Sequence, residues 1–154
     1  MTSRVARSAS ACALLLTCSC LGSIIAANRA REVAAVEWTL RNFNAALTRG
    51  DTTAMRSLVR PDFRLIEDSI EYDLPNAVAA VATAHAAGTL TRQVADLKVE
   101  AKGPTAWATY HVHATFASGR DTLRFARLES AVLQKIESRW TIAFMTSSPT
   151  APQH

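Results

Sequence analysis

The sequence predicts an α+β domain in which helices pack on one face of an antiparallel sheet. Three observations predict it. Apolar residues recur every three or four positions as far as Gly88 and every second position beyond Leu90, so helices come first and strands later. Turn signals at Lys102-Gly103-Pro104, Ser118-Gly119 and near Ser138 cut the second half into consecutive strands. Finally, of 154 residues the first 27 read as a leader, and the 127 that remain are enough for one apolar core but too few for two domains.

The leader has a positive start from Met1 to Arg7, an uncharged run from Ser8 to Ala27 and small residues at Ala26 and Ala27 where a signal peptidase can cut. Residues 1–27 are therefore expected to be a signal peptide, with an exported, periplasmic or secreted product. A membrane-anchored chain is the alternative, if the run stays uncleaved or if Cys18 or Cys20 is lipidated. All three cysteines, Cys12, Cys18 and Cys20, fall in this head. The folded part is then expected to use no disulfide, thiol nucleophile or thiolate metal site.

Val33, Val36, Leu40, Phe43 and Leu47 trace one stripe on a helix from Arg29 to Arg49, which Gly50 closes. Asp51 caps a second helix reaching Leu58 or Val59, before Pro61. Phe63–Ile66 and Ser69–Tyr72 read as short extended pieces around a bend at Glu67-Asp68. Pro75 and Asn76 open a third helix, with Val78, Val81 and His85 on one face and Gly88 at its end. The strands expected after it are Val94–Ala101, Thr105–Phe116, Thr122–Gln134 and Arg139–Ser147. Residues 149–154, with a proline at each of positions 149 and 152, are expected to form a flexible tail.

Two stretches carry a resemblance to a known family: Trp38-Thr-Leu-Arg-Asn-Phe-Asn-Ala-Ala-Leu-Thr-Arg-Gly-Asp51 with Leu58-Val-Arg-Pro-Asp-Phe-Arg-Leu-Ile66, and Arg127-Leu-Glu-Ser-Ala-Val-Leu133 with Trp140-Thr-Ile-Ala-Phe-Met-Thr-Ser-Ser148. They resemble the opening and the last two strands of the SnoaL-like branch of the nuclear transport factor 2-like superfamily. The resemblance implies that residues 28–148 form a curved sheet wrapped by N-terminal helices on its concave side into a cone with one open pocket, dimerising through the sheet. Where the family pattern ends in a His-Ser pair, this chain has Thr146 before Ser147, so a candidate proton carrier is missing. The superfamily holds isomerases, cyclases, dehydratases and members that only bind or assemble, so fold alone fixes no activity.

Composition excludes some functions. At 49% hydrophobic and 19% charged the chain is not disordered, and beyond the leader no basic cluster remains to hold nucleic acid. Alternation puts Trp107, Thr109, His111 and His113 on one face of the strand at 105–116 and Ala106, Ala108, Tyr110, Val112, Ala114 and Phe116 on the other. His-x-His presents two nitrogens to one metal, but only His85 and His154 remain as further histidines, so a pocket wall or dimer face is preferred to a metal site. No cofactor is expected.

Glu129 sits among apolar residues in a central strand, where an ion pair with an arginine is its expected fate; Arg127 shares its face by alternation. Together with Trp38, Tyr72, Asp73, His85, Trp107, Tyr110, His111, His113 and Thr146 it makes up the candidate pocket. Two readings follow. The first is an exported, dimeric, non-catalytic domain whose pocket holds a small apolar or amphipathic molecule. The second is an isomerase, cyclase or dehydratase of ketosteroid-isomerase type, with Asp73 or Glu71 as base and Tyr110 or Tyr72 as donor.

Overall fold

The computed structural model describes residues 11–150, with side chains from residue 24 onward; Met1–Arg7 and His154 lie outside the described residues. The chain divides into two compact units, Met1–Glu32 and Val33–His154. Helix α1, expected to start at Arg29, spans Ala11–Arg49. None of the described helices is long and apolar enough to cross a membrane.

In the second unit the stripe on α1 buries Val36, Leu40 and Phe43, and Gly50 follows at φ 65, the left-handed position that favours glycine. The Asp51 carboxylate accepts from the Ala54 amide at 2.9 Å and so starts α2 (Thr52–Leu58). Strand β1 (Val59–Glu67) begins at once, with Pro61 inside it rather than after the helix. Asp68 and Ser69, both at positive φ, turn the chain into β2 (Ile70–Asp73), as two-residue hairpins require. Asp73 then caps α3 (Leu74–Ala87) by accepting from the Asn76 amide at 3.0 Å.

Strands β3 (Thr89–Lys102), β4 (Thr105–Ser118), β5 (Asp121–Ile136) and β6 (Arg139–Pro149) form the expected antiparallel meander. The six-stranded order is β2-β1-β6-β5-β4-β3, and the expectation of a wholly antiparallel sheet needs one correction: β1 lies parallel to β6. Chain order forces this. β2 ends at one edge of the sheet and β3 starts at the other, so α3, about 21 Å long, carries the chain across one face. That crossing closes a layer over the inner side of the sheet, and the last strand of the meander completes the sheet beside β1. β6 also runs through Pro149, and the Thr150 amide donates to the Ala126 carbonyl, so the first two residues of the expected tail are paired in the sheet; residues 151–154 lie outside the described residues.

Two bulges reset which residues face the helices. In β3, Ala95 pairs with His111 but Lys98 pairs with Thr109, so Asp96 (φ 53) and Leu97 share one partner position. Leu90, Arg92 and Val94 face inward before the bulge, and Leu97, Val99 and Ala101 after it. In β6 a similar shift lets Ile142 and Met145 both face the core. The core itself joins α1 to β1, β4 and β6: Phe43 and Phe63 set their rings 6.3 Å apart, and the Thr39 hydroxyl donates to the Trp140 carbonyl. Alternation in β4 holds as expected, with Ala106, Ala108, Tyr110, Val112 and Ala114 buried.

Candidate functional site

Between α1, α2 and α3 on one side and the sheet on the other lies a cavity of about 270 Å³. Phe43 and Leu47 of α1, Met55 of α2, Val81 and Ala84 of α3 and Leu90 and Met145 of the sheet give it apolar walls. One part is polar, lined by Arg92, Glu129, Ser147 and Glu67. A small, mostly apolar hollow with a few convergent polar groups is what a small-molecule site requires, and this one lies near the low end of the usual size range.

The polar end is built on one buried ion pair. Arg92 Nη2 lies 2.6 Å from Glu129 Oε1, with side-chain exposures of 9% and 3%. The sheet brings them together: Glu129 pairs with Tyr110, and Arg92 reaches it from β3, on the far side of β4. Arg92 Nε also donates to Asn44 Oδ1 at 2.9 Å, which ties α1 to the pair. Asn44 in turn donates to the Tyr110 hydroxyl at 3.5 Å. Burial, then the negative charge of Glu129, pushes the Tyr110 phenol well above its usual pKa, so it stays protonated as a donor. The second Glu129 oxygen, Oε2, is buried and has no hydrogen-bond partner among the described residues.

From Glu129 the network runs outward. The Ser147 hydroxyl donates to Glu129 Oε1 at 3.3 Å and accepts from Arg127 Nε at 2.6 Å. Arg127 Nη2 then donates to Asp68 Oδ1 at 2.7 Å, and Glu67 lies 3.4 Å from Arg127 Nε. Burial lowers the Arg127 pKa, but the Asp68 hydrogen bond and the charges of Glu67, Asp68 and Glu129 outweigh it and raise the value. The β1–β2 turn is thereby latched to β5 beside the cavity.

Tyr72, His85 and Glu129 line the cavity. His85 Nε2 donates to the Leu47 carbonyl at 2.8 Å, so this histidine caps the end of α1 rather than its own helix. Gly50 makes room for it, since a Cβ there would stand 2.6 Å from the imidazole. Tyr110 is fully buried behind the cavity in the Glu129 network.

The other candidates are placed elsewhere. Trp107 and His113 lie on the outer face of β4, exposed, because the inward positions belong to the alternating apolar set. His111 shares that outer face and sets its Nδ1 3.4 Å from Asp96 Oδ2 at the β3 bulge. Among the described residues no three of His, Cys, Asp and Glu gather as a metal-binding group. Trp38 is exposed on α1 and borders a separate groove with Arg139 and Trp140. Asp73 is committed to capping α3, and Glu71 to Arg64 at 2.9 Å. Thr146 does not line the cavity, whereas Ser147 does, so the position that would hold histidine in the family pattern is not a cavity wall. Glu129 does take an arginine partner in its ion pair, but that partner is Arg92. The sequence pattern concealed it, because apolar alternation is clean only from Leu97, beyond the bulge, and Arg92 lies before it.

A family model described as a SnoaL-like domain matches residues 36–152. No curated protein matches the sequence significantly. A proposed dehydratase of the NTF2-like family from Streptomyces avermitilis is similar in structure, with a TM-score of 0.71 and 17% identity over 79% of this chain and 98% of that one. A protein of unknown function from Mycobacterium tuberculosis has a TM-score of 0.76 and 13% identity over 82% and 76%. A ketosteroid isomerase-like protein from Erwinia carotovora atroseptica has a TM-score of 0.67 and 16% identity over 79% and 98%. At such identities these likenesses establish the fold.

Proposed function

Starting from a chain that belongs to the SnoaL-like domain family, within the nuclear transport factor 2-like superfamily, we propose that it is an exported, non-catalytic domain that holds a small, largely apolar molecule in the cavity beneath α3. The observation that carries this reading is how the polar groups are used. Glu129 Oε1 is held by Arg92 and Ser147, the His85 nitrogen is spent on a backbone carbonyl, and Tyr110 stands behind the cavity wall. These groups orient one another, and apart from Glu67 and Tyr72 the remaining walls are apolar. A thermal-shift screen with neutral aromatic amides and steroids tests it. A stabilising ligand is expected, and Ala84→Phe, which fills the hollow from α3, weakens that ligand about tenfold or more. An unchanged affinity in Ala84→Phe would place the ligand elsewhere. Export predicts a periplasmic or secreted chain that has lost its first residues; an intact chain in the cytosol contradicts it.

A second reading is an isomerase or dehydratase, and one observation favours it. Glu129 and the protonated Tyr110 stand side by side, a carboxylate and a donor of the kind that enolising enzymes need. Two of the structurally similar proteins carry dehydratase and ketosteroid isomerase-like descriptions. In this reading the base is Glu129, since Asp73 and Glu71 are occupied elsewhere. Enolisation of a bound ketone that disappears in Glu129→Gln would establish it in place of the first reading.

The outer face of the sheet suits a second copy of the chain. Trp107, Val132 and Phe144 align across β4, β5 and β6, with Glu100 at one end of the row and Arg64 at the other. A two-fold axis at Val132 sets each Glu100 against the partner's Arg64 and covers the apolar row. Sedimentation should then give twice the mass of the chain, and a monomer at all concentrations would contradict it.

A further inference from the structure

Resting on the binding reading above, we infer that the cavity selects by charge: it takes uncharged molecules that carry one carbonyl or similar acceptor oxygen, and Glu129 is the residue that keeps carboxylates out. Arg92 is the acceptor's partner. Two of its three nitrogens are used, Nε on Asn44 and Nη2 on Glu129, and Nη1 remains for an acceptor on the ligand. A guanidinium in a mostly apolar pocket is normally an anion site, since the bidentate match to a carboxylate is strong. Here that charge is already neutralised, because Glu129 lies 2.6 Å away and both groups are buried.

The remaining charges near the cavity lean the same way. Glu67 and Asp68 outnumber Arg127, to which both are paired, so the rim adds negative rather than positive potential. His85 has its Nε2 on the Leu47 carbonyl. A carboxylate entering the cavity meets a cation that is already matched, and it must shed its water beside Glu129. A cation meets the converse problem with Arg92. An uncharged amide or ketone adds no net charge and still reaches a donor.

Three probes of one shape separate these cases: 2-naphthamide, 2-naphthoate and 2-naphthylmethylammonium, titrated by calorimetry into the full chain and into Glu129→Gln. Glutamine keeps the size of the side chain and an oxygen for Arg92 and Ser147, but removes the charge. The wild-type protein is expected to bind the amide about tenfold or more tighter than either ion. In Glu129→Gln the naphthoate should gain about tenfold or more relative to the amide. Adding Arg92→Gln to that variant should remove the gain, which assigns it to the guanidinium. If the variant does not fold, the order of the three probes on the wild-type protein decides. Naphthoate binding the wild type as well as the amide, or gaining nothing in Glu129→Gln, overturns the charge rule and leaves the binding reading standing. Failure of all three probes on both proteins overturns the binding reading and the rule with it.

Discussion

Arg92→Met is expected to lower the stability of the protein by about 3–5 kcal/mol, because it strands the Glu129 carboxylate in the interior. The pair is buried on both sides, with side-chain exposures of 9% and 3%, so water does not take over when the guanidinium is removed. Among the described residues Ser147 is then the donor left to Glu129 Oε1, at 3.3 Å. The same reasoning predicts that the double variant Arg92→Met/Glu129→Leu recovers most of the loss, since an apolar pair of similar volume carries no desolvation cost. Denaturant titration of the wild type, both single variants and the double variant closes the cycle. A loss of under about 1 kcal/mol for Arg92→Met would mean that the pair behaves as a surface ion pair.

The second large effect is expected at Phe63. This residue is 1% exposed at the centre of β1 and faces the Phe43 ring at 6.3 Å and 55°. Phe63→Ala removes the packing between α1 and the sheet and leaves a void, at a cost of about 3–5 kcal/mol. Phe43 also lines the cavity, so the void lies next to a hollow that already exists. The denaturant midpoint should fall with an unchanged slope. A loss of under about 1 kcal/mol would show that α1 is not fixed through this contact.

Much of this architecture is legible along the chain. The stripe Val33, Val36, Leu40, Phe43 and Leu47, the cap at Asp51, the third helix opening at Pro75 and the alternation through β4 each have a local cause, and each appears in the structure near where the sequence puts it. What the sequence hides is non-local. The parallel pairing of β1 with β6 follows from where α3 carries the chain, and no residue in either strand signals it. The bulge at Asp96 and Leu97 interrupts the period of two, which obscures the first part of β3 and with it Arg92. No proline lies between Ala11 and Arg29, and α1 starts well before the position at which the apolar stripe begins.

The site follows the same division. Glu129 stands out as an acid among apolar residues, and its need for an arginine is readable from its surroundings alone. Arg127, the nearer choice in sequence, faces the same side but serves Ser147, Asp68 and Glu67. Asn44, which joins α1 to this network, gives no signal in a helix whose period is carried by its apolar neighbours.

The central claim is that the hollow under α3, with its neutral polar end, is where this protein meets its ligand. Two-dimensional amide NMR of the protein titrated with 2-naphthamide tests that most directly. Shifts confined to residues around the cavity, Leu47, Ala84, Leu90, Arg92, Glu129 and Met145, are the predicted result. Shifts confined to the outer face around Trp107 and Val132, or to the groove beside Trp38, would contradict it.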